Sequence, residues 1–162
     1  EALVLRTNWR NTRAIHAWLG RAEPRLRDTP CAAPEGVPVR VERLATGHEQ
    51  TLRRVLHQLV DSGGLRPEDI VILTGRSPAK SRLAALTQPV GPVVVSADGG
   101  PGVVRLSSVQ AFKGLEAPVV ILTELDGYPT RRASALFYVG ASRAMNHLIV
   151  FEDALPASEP RA

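Results

Sequence analysis

Val103-Val-Arg-Leu-Ser-Ser-Val-Gln-Ala-Phe-Lys-Gly-Leu-Glu-Ala-Pro-Val-Val-Ile-Leu-Thr123 holds two runs rich in Val, Ile and Leu, Val103–Leu106 and Val119–Thr123, joined by a polar stretch with one glycine. The second run is continuous rather than alternating, the pattern of a strand covered on both faces. Similar runs stand at Ala2–Leu5, Val37–Leu44, Ile70–Thr74, Val93–Ser96 and Leu148–Phe151. Between them lie helical patterns. Glu49 to Val60 puts Leu52, Val55, Leu56 and Leu59 on one face, and Ala79 to Leu86 follows Ser77-Pro78, a cap residue and a proline at the first helical position. Ala133 to Ala144 is a third helical pattern. Alternation of this kind predicts an α/β fold, a mainly parallel sheet with helices on both faces, in three layers. The stretches 21–36 and 87–102 are rich in Pro and Gly and read as surface connections or as places where a relative carries an insertion.

Working outward, 162 residues are one domain's worth, and 44% apolar content supplies a core without staples. The expected division is a single domain over 1–153 and a flexible tail over 154–162. The longest apolar stretches, such as Ala117–Leu122, fall far short of the roughly 20 residues that span a bilayer. The single cysteine, Cys31, cannot form an intrachain disulfide and fits a reducing, cytoplasmic setting. Glu-Ala-Leu-Val-Leu lacks both an initiator Met and the order of a signal peptide, so the chain is expected to begin within a longer protein. Net charge is +4, and of 20 basic residues only Lys80 and Lys113 are lysine. Arginine is the better fork for phosphate, which favours polyanionic partners, although on charge alone coding bias with a solvated surface is the better reading.

Several familiar chemistries find no support. Gly75-Arg-Ser-Pro-Ala-Lys80-Ser81 follows a strand as a P-loop would, but the second glycine is missing and Pro78 removes an amide from the cradle. A capped helix start is the better reading. His16, His48, His57, His147 and Cys31 form no i, i+4 pair and no CxxC, so no metal site is predicted. No Gly-x-Ser-x-Gly elbow is present. Three segments are more specific: Thr7-Asn-Trp-Arg-Asn-Thr12, where a strand ends and a helix begins; Ser107 to Glu116; and Tyr138-Val-Gly-Ala-Ser-Arg-Ala-Met145. Singly, each also reads as ordinary structure: a core aromatic at Trp9, a turn at Gly114, an exposed helical Arg143.

In this order and spacing the three resemble motifs IV, V and VI of the C-terminal RecA-like motor domain of UvrD/Rep-type superfamily 1 DNA helicases. Asn8-Trp-Arg-Asn-Thr12 is similar to motif IV, usually Asn-Tyr-Arg-Ser; Ser108–Glu116 to motif V, usually Thr-x-His-x-x-Lys-Gly-Leu-Glu; Tyr138–Ala144 to motif VI, usually Tyr-Val-Ala-x-Thr-Arg-Ala. Glu68–Leu73 with Arg76-Ser77 and Ser81-Arg82 resembles the strand and helix between motifs IV and V, and Asp126–Pro129 the segment after motif V. The resemblance runs from about residue 3 to residue 151. Departures are Ser108 for Thr, Gln110 for His and Trp9 for Tyr, which keep a hydrogen-bonding group or a stacking face. Only Leu83 to Arg105 stand where long members insert an accessory subdomain.

The resemblance implies half an ATP site. An N-terminal RecA-like domain of the same protein would carry the P-loop and the carboxylates that hold Mg²⁺ with ATP. Arg10 and Arg143 would be arginine fingers to the γ-phosphate, Trp9 would stack on adenine, Glu116 would accept from a ribose hydroxyl, and Gly114 would let the backbone approach beside it. Ser108, Gln110 and Lys113 would contact single-stranded or partly duplex DNA. The whole protein would then be an ATP-dependent helicase or translocase, 3′ to 5′, of the kind active in DNA repair, with no membrane partner. This chain alone would be inactive. The alternative is a non-catalytic RecA-like module that binds or regulates; intact Arg10, Glu116 and Arg143 favour the motor.

Overall fold

Ile70–Thr74 (β2) is buried at every position, as a strand covered on both faces must be. In the computed structural model, which describes residues 7–84, 86, 89–90 and 93–155, it lies inside a six-stranded sheet of order β1-β6-β5-β2-β4-β3. The other strands are β1 Arg40–Glu42, β3 Val94–Ser96, β4 Val103–Ser108, β5 Ala117–Thr123 and β6 Ala144–Phe151, and every pairing is parallel. Both edge strands are three residues long, which limits the unpaired backbone they present.

The period of two along each strand sorts side chains to opposite faces. Val71, Leu73, Val120, Leu122, Leu148 and Val150 pack with Ile15 and Leu19 of α1 (Arg13–Ala22) and with Leu136, Phe137 and Ala141 of α3 (Thr130–Ala141). Ile70, Ile72, Val119, Ile121, Ile149 and Phe151 pack with Leu52, Val55, Leu56 and Leu59 of α2 (His48–His57) and the π-turn after it, Gln58–Ser62. The architecture is thus the expected three-layer α/β sandwich with a parallel sheet.

Local departures have local causes. The expected helix over 79–86 is one 3₁₀ turn, Pro78–Lys80, followed by turns through Ala84. The Glu124 carboxylate takes the Ser81 hydroxyl (2.7 Å) and the Arg82 amide (2.6 Å), holding Ser81 in extended backbone and outcompeting helical bonding. The pattern at Ala133–Ala144 is displaced toward the N-terminus. The helix stops at Ala141 because the Asn11 amide binds the carbonyls of Ser142 (3.1 Å) and Ala144 (2.6 Å), and Ala144 already pairs with Ala117. β5 starts at Ala117, with a register shift against β6 at Pro118, which has no N–H to give. Only Arg40–Glu42 of the expected strand Val37–Leu44 is paired. Ala154 and Leu155 are buried in the core, so packing continues two residues beyond the expected boundary at 153. The expected strand Ala2–Leu5 and residues 156–162 of the expected tail lie outside the described residues. No helix among those described is long and apolar enough to cross a membrane.

Candidate functional site

Asn8 builds the first segment. Its Oδ1 accepts from the amides of Arg10 (2.9 Å) and Asn11 (3.3 Å), an Asx-type turn, while its Nδ2 lies 2.8 Å from Nδ1 of His16. The first amides of α1 are satisfied by the carbonyls of Pro34 and Glu35, so the loop before the helix is held on two sides. This turn points Trp9 and Arg10 outward while Asn11 stays buried and ties residues 7–12 to the start of β6. Trp9 is 74% exposed, which removes it from the core.

Glu116 immediately precedes β5 and Arg143 immediately precedes β6, so both stand at the N-terminal ends of neighbouring parallel strands. There Arg10 forms an ion pair with Glu116. Arg143 folds back on the end of α3, its Nε donating to the Val139 carbonyl (3.0 Å), Nη2 to the Ser142 hydroxyl (3.2 Å) and Nη1 reaching the Leu115 carbonyl (3.5 Å). Trp9, Arg10, Tyr138 and Arg143 line one depression of about 390 Å³. Gly114 has φ +89°, a left-handed conformation that glycine adopts without strain in the turn leading into Leu115-Glu116, and outside its chain neighbours no atom of the described residues lies within 4 Å of where a Cβ would stand.

Ser108 and Gln110 are elsewhere. They lie at the C-terminal ends of the strands, in a crevice of about 520 Å³ shared with Gly75, Arg76, Ser77 and Lys80 after β2 and with Asp126, Gly127 and Tyr128 after β5. Such crevices, beyond the carboxyl ends of parallel strands, are where open α/β sheets bind ligands. Ser108 Oγ accepts the Ala111 amide (3.1 Å), which leaves its hydroxyl hydrogen free to be given to a ligand. Arg76 Nε is buried without a hydrogen-bond partner, and Lys80 makes no ion pair among the described residues. The one acid of the lining, Asp126, is held below the usual carboxylate range, chiefly by hydrogen bonds from Arg82 at 2.6 and 2.9 Å. Lys113 is exposed on the turn between the two sites.

One segment connects them. Residues 109–116 leave the end of β4, where the Val109 amide binds the Thr74 carbonyl (2.9 Å), and return to the start of β5, with Val109 and Phe112 buried under α1 and α3. From sequence, Arg76 and Lys80 have no ligand role, because Gly75–Ser81 fails as a P-loop, and Tyr128 has none beyond its place in the Asp126–Pro129 segment. The usable signal is the place of Gly75–Ser81 at the end of a buried strand. Among the described residues no group of three or more His, Cys, Asp or Glu is placed to hold a metal ion.

Comparison with known proteins bears on this arrangement. Residues 103–151 match the family profile described as the UvrD-like helicase C-terminal domain. The fold is similar to the crystal structure of the C-terminal domain of a possible DNA helicase from Lactobacillus plantarum WCFS1, with a TM-score of 0.61 and 23% identity over 89% of this chain and 86% of that one. No curated protein sequence matches. Residues 103–151 are thus similar in sequence to the UvrD-like helicase C-terminal domain, and most of the chain is similar in fold to the C-terminal domain of a possible DNA helicase.

Proposed function

We propose that the chain is the C-terminal motor half of an ATP-dependent DNA helicase or translocase, completing an ATP site whose P-loop and Mg²⁺-binding carboxylates belong to an N-terminal RecA-like domain of the same protein. The observation that carries this is the meeting of Arg10, Glu116, Arg143 and Trp9 at one edge of the sheet. Two guanidinium groups, one carboxylate and one exposed indole are a donor set that fits an adenosine triphosphate: forks for phosphate, an acceptor for a ribose hydroxyl, a ring face for adenine.

Arg10 and Arg143 act as arginine fingers, steadying the charge that spreads over the phosphoryl oxygens as water displaces ADP. Both are engaged at rest, Arg10 with Glu116 and Arg143 with carbonyls at the end of α3. Releasing Arg10 costs little, since an ion pair with side chains 47% and 34% exposed contributes only about 0–1 kcal/mol. Glu116, once released, is free to accept from the ribose. At the other end of the sheet Ser108 and Gln110 contact single-stranded DNA, with Arg76 and Lys80 beside them in the same crevice, and Lys113 reaches the strand from the exposed turn between the two sites. The segment 109–116 couples the two ends, so that closing on the nucleotide shifts the grip on the strand, 3′ to 5′ by the resemblance.

Arg143→Ala in the whole polypeptide is expected to lower strand-stimulated ATP hydrolysis about 10³- to 10⁵-fold while nucleotide still binds, and this chain alone is expected to hydrolyse none. Steady-state hydrolysis assays check both. Unchanged turnover in the Arg143→Ala polypeptide would remove the finger and with it the motor reading.

A further inference from the structure

Tyr128 has no assigned part in the reading above, yet its ring forms one wall of the crevice that holds Ser108 and Gln110. Its hydroxyl donates to the Gly75 carbonyl, fixing the ring against the end of β2. A Cβ at Gly75 would lie 2.7 Å from Tyr128 Cε2 and 2.6 Å from the Glu124 carbonyl oxygen, so the glycine is what admits the ring. The guanidinium carbon of Arg132 sits 4.8 Å from the ring centroid, and Arg132 is exposed with no acidic partner among the described residues. A planar cation stacked on an aromatic wall, beside the cations Arg76 and Lys80 and two neutral polar side chains, has the chemistry of a sequence-tolerant single-strand platform: π-faces for bases, positive charge for phosphates.

We propose that Tyr128 and Arg132 form a base-stacking end of the crevice, holding one base of a single strand while Lys80 and Arg76 meet its phosphates. The proposal rests on the single-strand reading of the crevice and adds to it which part of the nucleic acid is gripped. Ser108 and Gln110 lie on the same crevice wall system, so the base stacks next to the backbone contacts already assigned to them. The Tyr128 ring is fixed by its hydrogen bond and capped by Arg132, so the ring and guanidinium are ordered together before a base stacks on them, which lowers the entropic cost.

The test compares binding of this chain to oligothymidine and to an abasic sugar-phosphate oligomer of equal length, followed by fluorescence anisotropy. Tyr128→Leu is expected to weaken oligothymidine binding about 5- to 100-fold and to leave the abasic oligomer unaffected; Tyr128→Phe, which keeps the ring, stays within about twofold of the unsubstituted chain. Arg132→Ala, a change on an exposed side chain, narrows the preference for oligothymidine and lowers the slope of log affinity against log salt by about 0.7. Equal weakening of both oligomers by Tyr128→Leu, or an unchanged preference and slope in Arg132→Ala, overturns the proposal. If the unsubstituted chain binds neither oligomer, the single-strand reading falls and takes this inference with it.

Discussion

The two ends of the sheet treat their charges in opposite ways. At the N-terminal ends of β5 and β6, Arg10 is paired with Glu116 and Arg143 is folded onto backbone carbonyls, so the depression around Trp9 has its cations in hand. At the C-terminal ends of β2, β4 and β5, Lys80 and Arg132 have no acidic partner among the described residues, Arg76 keeps an unsatisfied buried Nε, and the acid, Asp126, is neutralised by Arg82. A site whose cations are stowed waits for a partner to draw them out. One whose cations stand ready is already complete. The contrast suits a half-site facing another domain at one end and a surface open to a polyanion at the other.

The sharpest way to break that comparison is to damage one end alone. Glu124 is fully buried, sits at φ 58°, and binds Ser81 and the Arg82 amide while its own amide donates to Asp153 Oδ2 (3.0 Å). It is the peg that holds residues 75–82 against the crevice. Glu124→Ala removes two charge-assisted hydrogen bonds and is expected to cost about 2–4 kcal/mol of stability, seen as a lower midpoint in urea denaturation. Among molecules still folded, single-strand binding should fall while nucleotide binding by the whole polypeptide persists. Loss of both together would mean that the two ends are one cooperative unit.

Trp9→Ala strikes the other end. With three quarters of the residue in water, its removal should leave the urea midpoint within about 0.5 kcal/mol of the original. Nucleotide affinity of the whole polypeptide should weaken about 5- to 100-fold if the indole stacks on the base. Equilibrium binding of a fluorescent ATP analogue measures it, and unchanged affinity would leave Trp9 as an interdomain contact only.

What the sequence discloses here follows from how local each signal is. β2 and the core stretch of β5 are legible because continuous burial leaves an unbroken apolar run, and α2 because Leu52, Val55, Leu56 and Leu59 repeat at helical spacing. The segment after β2 is not, since its fold is set by a carboxylate 43 residues away from Ser81, and no local propensity anticipates that bond. Asn11 ends α3 by the same kind of distant contact, 131 residues from Ser142. For the site, Arg10, Glu116 and Arg143 were legible through their motifs, and their meeting on one edge depends on the parallel order of β5 and β6. The crevice around Tyr128 depends on β2 lying between β4 and β5, which is a property of topology and leaves no mark in any single segment.

His147 offers a finer probe, because it belongs to neither end. It lies on β6 opposite Val119, partly buried, and burial first and the positive charge of Arg40 second push its pKa below the ordinary value of 6.5. The folded chain therefore resists taking up a proton that the unfolded chain accepts near pH 6.5. Stability tied to this group is full above that pH and declines as pH falls from there through the lower folded value. His147→Gln should flatten the stability profile between about pH 7 and pH 5 without altering nucleotide or single-strand binding at pH 7.5, as urea midpoints across that range and binding at its upper end would record. An unchanged slope would move the acid sensitivity to the carboxylates. A change in single-strand affinity would instead tie this face of the sheet to the crevice, and the separation of the two ends would then have to be redrawn around β6.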